Sequence, residues 1–597
     1  MKTFLRIAGV VAALIPEIAS PQPYGLVAMC DGTADDTIAI NTYLASLPIG
    51  STVVMPTGKF CLINSGNVQI PAGIRIQGSG GPFQPQFGGE PRGSGFKLNP
   101  AYTIIMNGAG SQLANVAIIR AGLTVNPTDM QVKSEIAKWG AEESVAVTIP
   151  PNVGGVNLES LFIVGFNRCI ASNAGQFSLR TLLMDCYNGI DVTRFAGDTF
   201  TISDVKLEPI YAFHVTSATG AWARPGIGLN IYGTAAGAEV SHFFTFMYAN
   251  GVVVNDDGGV QINNSHFEWQ HSIGNGITGT TALRTIGNPT LSSFSDIQIT
   301  GFDAPVSIES VGETRLVNIS VLGEPTGGGP SYYLGGQSAI AAILTVEDTL
   351  TPGGTISANF TSASIMGSPV TATYTMGSSD TAATAATGLA QAVNHIQALI
   401  SAHVSAVSSG AVATFFWPAA MTVVVTNSAS GGRSLRQSTA RAHGGSAGSI
   451  VGAHQVTSGV VPVFQTLVNT GYWQIDTPYF YKPLPSGWLS VASPNNGGIT
   501  LSGIPWSNIS ASNLSACGDG SPTVRAGSND SDFAITTGKS AVGCVLTFTT
   551  PFYKAPLCQF TSENGITLTS VVPEMNKVTI KHRAASDAVF VGHCEPH

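Results

Sequence analysis

The chain has 597 residues, of which 10% are charged and 69 are glycine, and its formal net charge is −9. An ordinary soluble domain carries about 25% charged residues. An acidic balance with no Lys/Arg cluster excludes a phosphate-neutralising nucleic-acid surface, and no apolar run reaches the ~20 residues that cross a bilayer as a helix. Low charge with abundant Gly, Val, Ile, Thr and Ser predicts a mainly β protein with continuously buried strands. At roughly 100–200 residues per domain, the length predicts three or more units.

In chain order, the first feature is Lys2 and Arg6 ahead of the apolar run Ile7–Leu14. That start resembles a signal peptide, but Pro16 ends the run and Pro21 follows the small-residue site Ala19-Ser20. Residues 1–29 therefore read either as a signal or as a short attachment helix. Next, Asp31-Gly32 predicts a turn. Asp35 or Asp36 is placed to cap a helix carrying Ile38, Ile40 and Leu44. Val53-Val54-Met55 then reads as a strand closed by Pro56 and Gly58, and Ile74–Ser79 as another strand and turn.

Short apolar strands recur at intervals of roughly 20–30 residues, as coil repeats do. Examples are Ser160–Phe166, Leu182–Cys186, Phe200–Val205, Val252–Val254, Val260–Asn264, Ile297–Ile299 and Leu316–Ile319, punctuated by Asn188-Gly189, Asn250-Gly251 and Asn275-Gly276. A single coil cannot bury its apolar face alone, so stacking supplies the core. The order of elements in Asp31–Ser79, with the coils that follow to about residue 325, resembles the pectate-lyase-like right-handed parallel β-helix family, phage tail spikes and tail fibres included. The resemblance implies a helix covering one end of the coil. It also implies a homotrimer on a virion tail, contacts with other tail proteins, and binding of a host cell-surface polysaccharide. The stretch Glu208–Leu229, with Trp222 and Arg224-Pro225-Gly226, resembles a loop that leaves the trunk of such proteins.

Beyond the trunk, assigned to 30–335, residues 338–430 read as a small α+β module resembling one recurrent in phage structural proteins. Thr355–Phe360 and Val370–Tyr374 alternate as half-buried strands, and Asp380 is placed to cap one helix over 381–402. The stretch 431–515 reads as a linker and a β-rich region. Residues 516–597 resemble a C-terminal antiparallel β-sandwich of phage tail and bacterial surface proteins. The eight cysteines form no CxxC pair, so zinc is not expected, and no Ca²⁺ loop is legible. No cofactor is expected. Four cysteines lie between 517 and 597 and permit two disulfides there, with buried thiols as the alternative.

Glycan cleavage on such a trunk needs two carboxylates for hydrolysis, or a base and a cation for elimination beside a uronic carboxylate. Neighbouring coils are about 4.7–4.9 Å apart, so carboxylates at matching positions in adjacent coils fall within catalytic range. The first candidate is Glu268, alternating with His266 on one strand, with Trp269 as a sugar platform. Glu208, beside Asp204 and the inserted loop, is second, and Asp257 is third. Trp222 and Arg224 are candidate sugar contacts, and Lys206 with Arg224 would serve a lyase. His214 and His242 are further candidate bases. Three functions stay open: a receptor-binding tail spike, with or without depolymerase activity; a secreted bacterial polysaccharide lyase or glycoside hydrolase; and a non-catalytic structural virion component.

Overall fold

The computed structural model describes residues 24–79 and 93–194 without a break and, with short gaps, residues 199–595; side chains between 427 and 508 lie outside the description. The trunk is a parallel β-helix built on a 21-stranded and a 12-stranded parallel sheet. Successive coils stack in register. Leu179 of Phe177–Asp185 lies beside Ile202 of Phe200–Leu207, which lies beside Val240 of Ala238–Phe246. The same inward row runs from Val53 through Ile76, Leu113 and Leu158, and on to Ile262, Phe294 and Leu316. Every member is fully buried, and each contributes roughly 1.5–3 kcal/mol by leaving water.

Eight successive coils turn a corner on a residue of left-handed backbone. Asn115, Ser160, Thr181, Asp204, His242, Asn264, Asp296 and Asn318 have φ between 48° and 57°. The flanking registers place them one above another on successive coils. Asn and Asp tolerate this region because their short polar side chains bond locally. Asn318 Nδ2 donates to Asp296 Oδ1 at 2.9 Å along this ladder. The corner reverses the in/out alternation, so the strand after it presents a separate outer face.

Helix α1 (Thr37–Ser46) inserts Ile40 and Leu44 into the trunk core, as the family resemblance implies for a helix over the end of the coil, while Ile38 is exposed. The Asp36 carboxylate accepts Met29 N–H and Cys30 N–H, while Asp35 accepts Thr37 N–H. A second helix, α2 (Asp129–Ala141), was not read from the sequence. Its signal is the capping box Thr128-x-x-Gln131. It buries Val132, Ile136 and Trp139 on the outer face of the early coils.

The module is an insertion between two stacked coils. Glu313–Leu322 precedes it, and Ala447–Ala453 follows it and pairs in parallel with that same strand. Strands from the stretch expected as a linker and β-rich region, among them Trp473–Tyr479 and Ile499–Ser502, continue the trunk sheets. Leu435–Arg441, inside the expected linker, pairs along the whole of Ile340–Val346. In place of one helix there are two, α3 (Ala382–Asn394) and α4 (Gln397–Ser401), because Ile396 between them takes an extended backbone. Thr381 caps α3, its hydroxyl accepting Thr384 N–H. Asp380 instead holds the Tyr374 hydroxyl at 2.8 Å and Gly377 N–H at 2.7 Å.

The module folds back onto the 12-stranded sheet. Arg284, buried and ion-paired with Glu309 at 2.8 Å, also donates to Val404 O at 3.1 Å. Gln391 donates to Thr193, and Gln397 bonds Asn250 and Gly279 O. The C-terminal region forms two four-stranded antiparallel sheets around Phe533, Ile535, Leu546, Ile580 and Phe590. All eight cysteines are paired: Cys30–Cys61 and Cys169–Cys186 in the trunk, Cys517–Cys544 and Cys558–Cys594 at the C-terminus. Among the described residues, no helix is long and apolar enough to cross a membrane.

Candidate functional site

The outer face after the corner carries two side-chain rows along the trunk. One runs Ala117, Phe162, Leu183, Lys206, Phe244, His266, Gln298. The other contains Ile119, Val164 and Asp185, then Phe246, Glu268 and Thr300. Continuing the register Leu207–Thr245 by one residue sets Glu208 beside Phe246. The early coils of this face are roofed by α2 and by loop residues 210–215 and 221–222, which bury Phe162, Val164 and Leu183. The roof stops there. Lys206 is exposed, and Glu208, Phe244, Phe246, His266 and Glu268 are half-buried.

Arg224 fastens the edge of that roof. Its guanidinium grips Asp185 through Nε at 2.7 Å and Nη2 at 2.9 Å, and Nη1 donates to the Ala221, Trp222 and Ala223 carbonyls. Asp185 also accepts Tyr211 N–H at 2.7 Å, and Trp139 lies over the guanidinium at 5.8 Å. Both charges of the pair are fully buried. Arg224 is thus consumed by the loop's own structure and presents nothing to a sugar. Trp269 is 1% exposed and packs in the trunk core, so its ring offers no platform. Local structure explains both: Trp269 follows the outward Glu268, and Arg224 opens a strand buried along nearly its whole length. Asp257 lies outside the described residues.

Five of the residues singled out in the sequence, Lys206, Glu208, Trp222, His266 and Glu268, lie on the open part of the face. Glu208 and Glu268 stand in one row two coils apart with Phe246 between them. At 4.7–4.9 Å per coil, that is about 9.5 Å along the trunk, at the upper end of the roughly 6.5–9.5 Å used for inversion. His266 lies in the adjoining row, its ring 5.2 Å from that of Phe244. Trp222, at the rim of the roof, meets Phe246 edge-on at 5.9 Å and donates Nε1–H to Val215 O. Phe244 and Phe246, the apolar floor, were missed. Their signal is the run Phe243-Phe244-Thr245-Phe246, in which alternate residues face outward.

Burial pushes the Glu208 carboxyl above its ordinary value; Lys206 opposes the shift and Asp185 adds to it. Glu208 therefore keeps its proton to higher pH than a free carboxylate, as a general acid must. Glu268 accepts Gln270 Nε2–H at 2.8 Å. Burial lowers the His266 pKa against the pull of Glu268, which favours the neutral imidazole, and its Nε2 has no hydrogen-bond partner among the described residues.

Asp204 and His242 are exposed neighbours on the corner ladder, 3.7 Å apart. His214 bonds Pro127 O at 2.6 Å, tying the loop to the start of α2. Cys30, Asp36 and Cys61 come within metal-binding reach of one another. Their sulfurs are bonded to each other and the carboxylate is taken by backbone N–H groups, so the cluster is structural.

No family model matches the sequence, and no curated protein matches it. Solved structures do align. The Dettilon tailspike protein is 11% identical over 96% of this chain and 94% of its own, with a TM-score of 0.34. A mutant tailspike of the E. coli bacteriophage HK620, in complex with a hexasaccharide, is 8% identical over 95% of this chain and 90% of its own, with a TM-score of 0.38. A family 28 exopolygalacturonase of Yersinia enterocolitica is 14% identical over 53% of this chain and 68% of its own, with a TM-score of 0.30. The β-helix of this chain rests on its own strand ladders.

Proposed function

We propose that this chain is a tail-spike or tail-fibre protein that binds a host cell-surface polysaccharide and hydrolyses it on the open face of its trunk. The observation that supports cleavage is the pair Glu208 and Glu268, two coils apart across Phe246. In this reading Glu208 protonates the leaving oxygen and Glu268 activates water, giving inversion. Phe246 and Trp222 supply the apolar surface against which a sugar ring lies, and neutral His266 accepts a hydroxyl. The face is continuous along the trunk, which suits a polymer. Assembly as a homotrimer on a virion tail, through other tail proteins, belongs to the same reading.

The test is incubation of the purified protein with host capsule or lipopolysaccharide, reading reducing ends and ultraviolet absorbance together. Hydrolysis yields reducing ends without absorbance. Absorbance as well would mean elimination and move the chemistry to Lys206. Bound but uncut glycan would mean an adhesin.

A second reading, a secreted bacterial polysaccharide hydrolase or lyase, is favoured by the four disulfides, which form and persist in oxidising surroundings. Electron microscopy of virions with antibody to the purified protein separates the two: labelling of tails supports the spike, and labelling of culture supernatant alone supports the secreted enzyme.

A further inference from the structure

A second concavity lies on the other side of the trunk, where the inserted module leans over the 12-stranded sheet. It encloses about 820 Å³, within the roughly 300–1,000 Å³ of small-molecule sites. One wall is trunk and the end of α2; the other is α3, the turn to α4 and the strand Val370–Thr375. None of its lining belongs to the face that carries Glu208 and Glu268.

Two tyrosines line it from opposite walls, and each is seated on a helix glycine. A Cβ at Gly140 of α2 would meet the Tyr187 ring at 2.5 Å, and one at Gly388 of α3 would meet the Tyr374 ring at 2.1 Å. The Tyr187 hydroxyl has no partner among the described residues, and burial pushes its pKa up, so it stays a neutral donor. Arg168 donates to Glu143 at 2.9 Å and to Asp191 at 3.4 Å, and Asp191 also accepts from Asn230 at 2.9 Å. His395 Nδ1 lies 2.6 Å from Gln391 O. A carbonyl only accepts, so Nδ1 carries the hydrogen and Nε2 is left as an acceptor when the ring is neutral.

The result is a cleft of aromatic rings with donors and acceptors already oriented. Its two carboxylates share one guanidinium, so its fixed charge is negative. A uronic acid would meet like charge there, whereas sugar hydroxyls find acceptors. Both carboxylates accept from Arg168, so neither is left free to act as a general acid. We propose that this trunk–module cleft binds a neutral oligosaccharide segment and holds it without cleaving it, a second glycan site on each chain. This rests on the polysaccharide-binding reading above.

The experiment uses the full chain carrying Glu208→Gln and Glu268→Gln, so that glycan survives. The probe is an array of bacterial surface oligosaccharides with neutral and uronate-bearing members. The best neutral binder is then titrated by equilibrium dialysis. Two sites per chain are expected, falling to one when Ala392→Trp fills the cleft, with the melting curve checked for retained fold. Glu143→Gln, at a side chain 93% exposed, cannot unfold the protein and should weaken that site about 3- to 10-fold. Two sites retained in Ala392→Trp, with affinity unmoved in Glu143→Gln, would overturn the inference while glycan binding stands. Preference for a uronate at this site would overturn the neutral class. No binding of any member would overturn the polysaccharide reading, and the cleft with it.

Discussion

The early and late coils of the outer trunk face differ in what covers them, and the difference locates the candidate site. Both halves continue the same two rows. In the early coils the rows are apolar: Ala117, Ile119, Phe162, Val164 and Leu183. They attract α2 and the loop pinned by Arg224. In the late coils the rows turn polar and aromatic at Lys206, Glu208, Phe244, His266 and Glu268. No roof forms there, because covering those charges would strip them of water without supplying partners. A change of composition along one row thus turns a roofed surface into an open one, at the step from the coil of buried Asp185 to the coil of half-buried Glu208.

The sharpest break of this comparison is chemical. Glu268→Gln and Glu208→Gln should each lower hydrolysis by about 100- to 10,000-fold, the usual weight of one acid or base, while binding of the intact polysaccharide persists. Rates of reducing-end release set against dialysis affinities check this, and activity surviving either change with the fold intact would remove the pair from the mechanism.

Next in size is the closed half. Arg224→Met leaves Asp185 buried without its cation, and should destabilise the chain by about 3–5 kcal/mol. Chemical denaturation with intrinsic fluorescence measures the loss. A double change, Arg224→Met with Asp185→Leu, should recover much of it, because an apolar pair of similar volume is often no worse than a buried ion pair. Inside the trunk, Leu179→Ala should cost about 2–5 kcal/mol by opening a cavity in the stacked row. An equal loss at Phe246→Ala would mean that the open floor is structural rather than functional.

The pH dependence separates the two halves again. The folded pKa of Glu208 is raised, so the folded state binds its proton more tightly than the unfolded chain does. Between the ordinary value of 4.5 and the raised one, rising pH removes stability, and with it the acid catalysis proposed for Glu208. Glu208→Gln should therefore show a higher Tm than the native chain at neutral pH, a gap that closes as pH falls below 4.5. On the roofed half, Glu142 runs the other way. The hydrogen bond from Arg120 lowers its pKa against burial, so its contribution is present above 4.5 and is lost as pH falls through the lowered value. Arg120→Gln should flatten the acid limb of the stability curve. The smallest effect expected is at the corner ladder: Asp204→Gly relieves a left-handed residue and should change stability by no more than about 1 kcal/mol. A large loss there would show that the polar ladder bonds along its length.

Much of this molecule follows from local chemistry. Recurring apolar strands with Gly and Asn turns dictate stacked parallel coils, because no coil can bury its face alone. The Asp31–Ser79 order is realised as a helix and first coils, and the alternating strands of 355–374 are realised as an antiparallel sheet. His266 and Glu268 stood out because they alternate on one short strand, and Glu208 because it lies beside the inserted loop. What only the tertiary structure decided is which outward side chains stay open. Arg224 and Trp269 have the residue types of sugar contacts. Yet Arg224 meets Asp185 from a coil 39 positions earlier in sequence, and Trp269 turns inward one residue past the strand that carries Glu268. The module's return onto the trunk, which brings Tyr187 opposite Tyr374, depends on Gln391, Gln397 and Arg284 finding partners more than a hundred residues away. Periodicity encodes the stacking of each coil on the next; it carries no information about which distant segment will cover the surface that stacking creates.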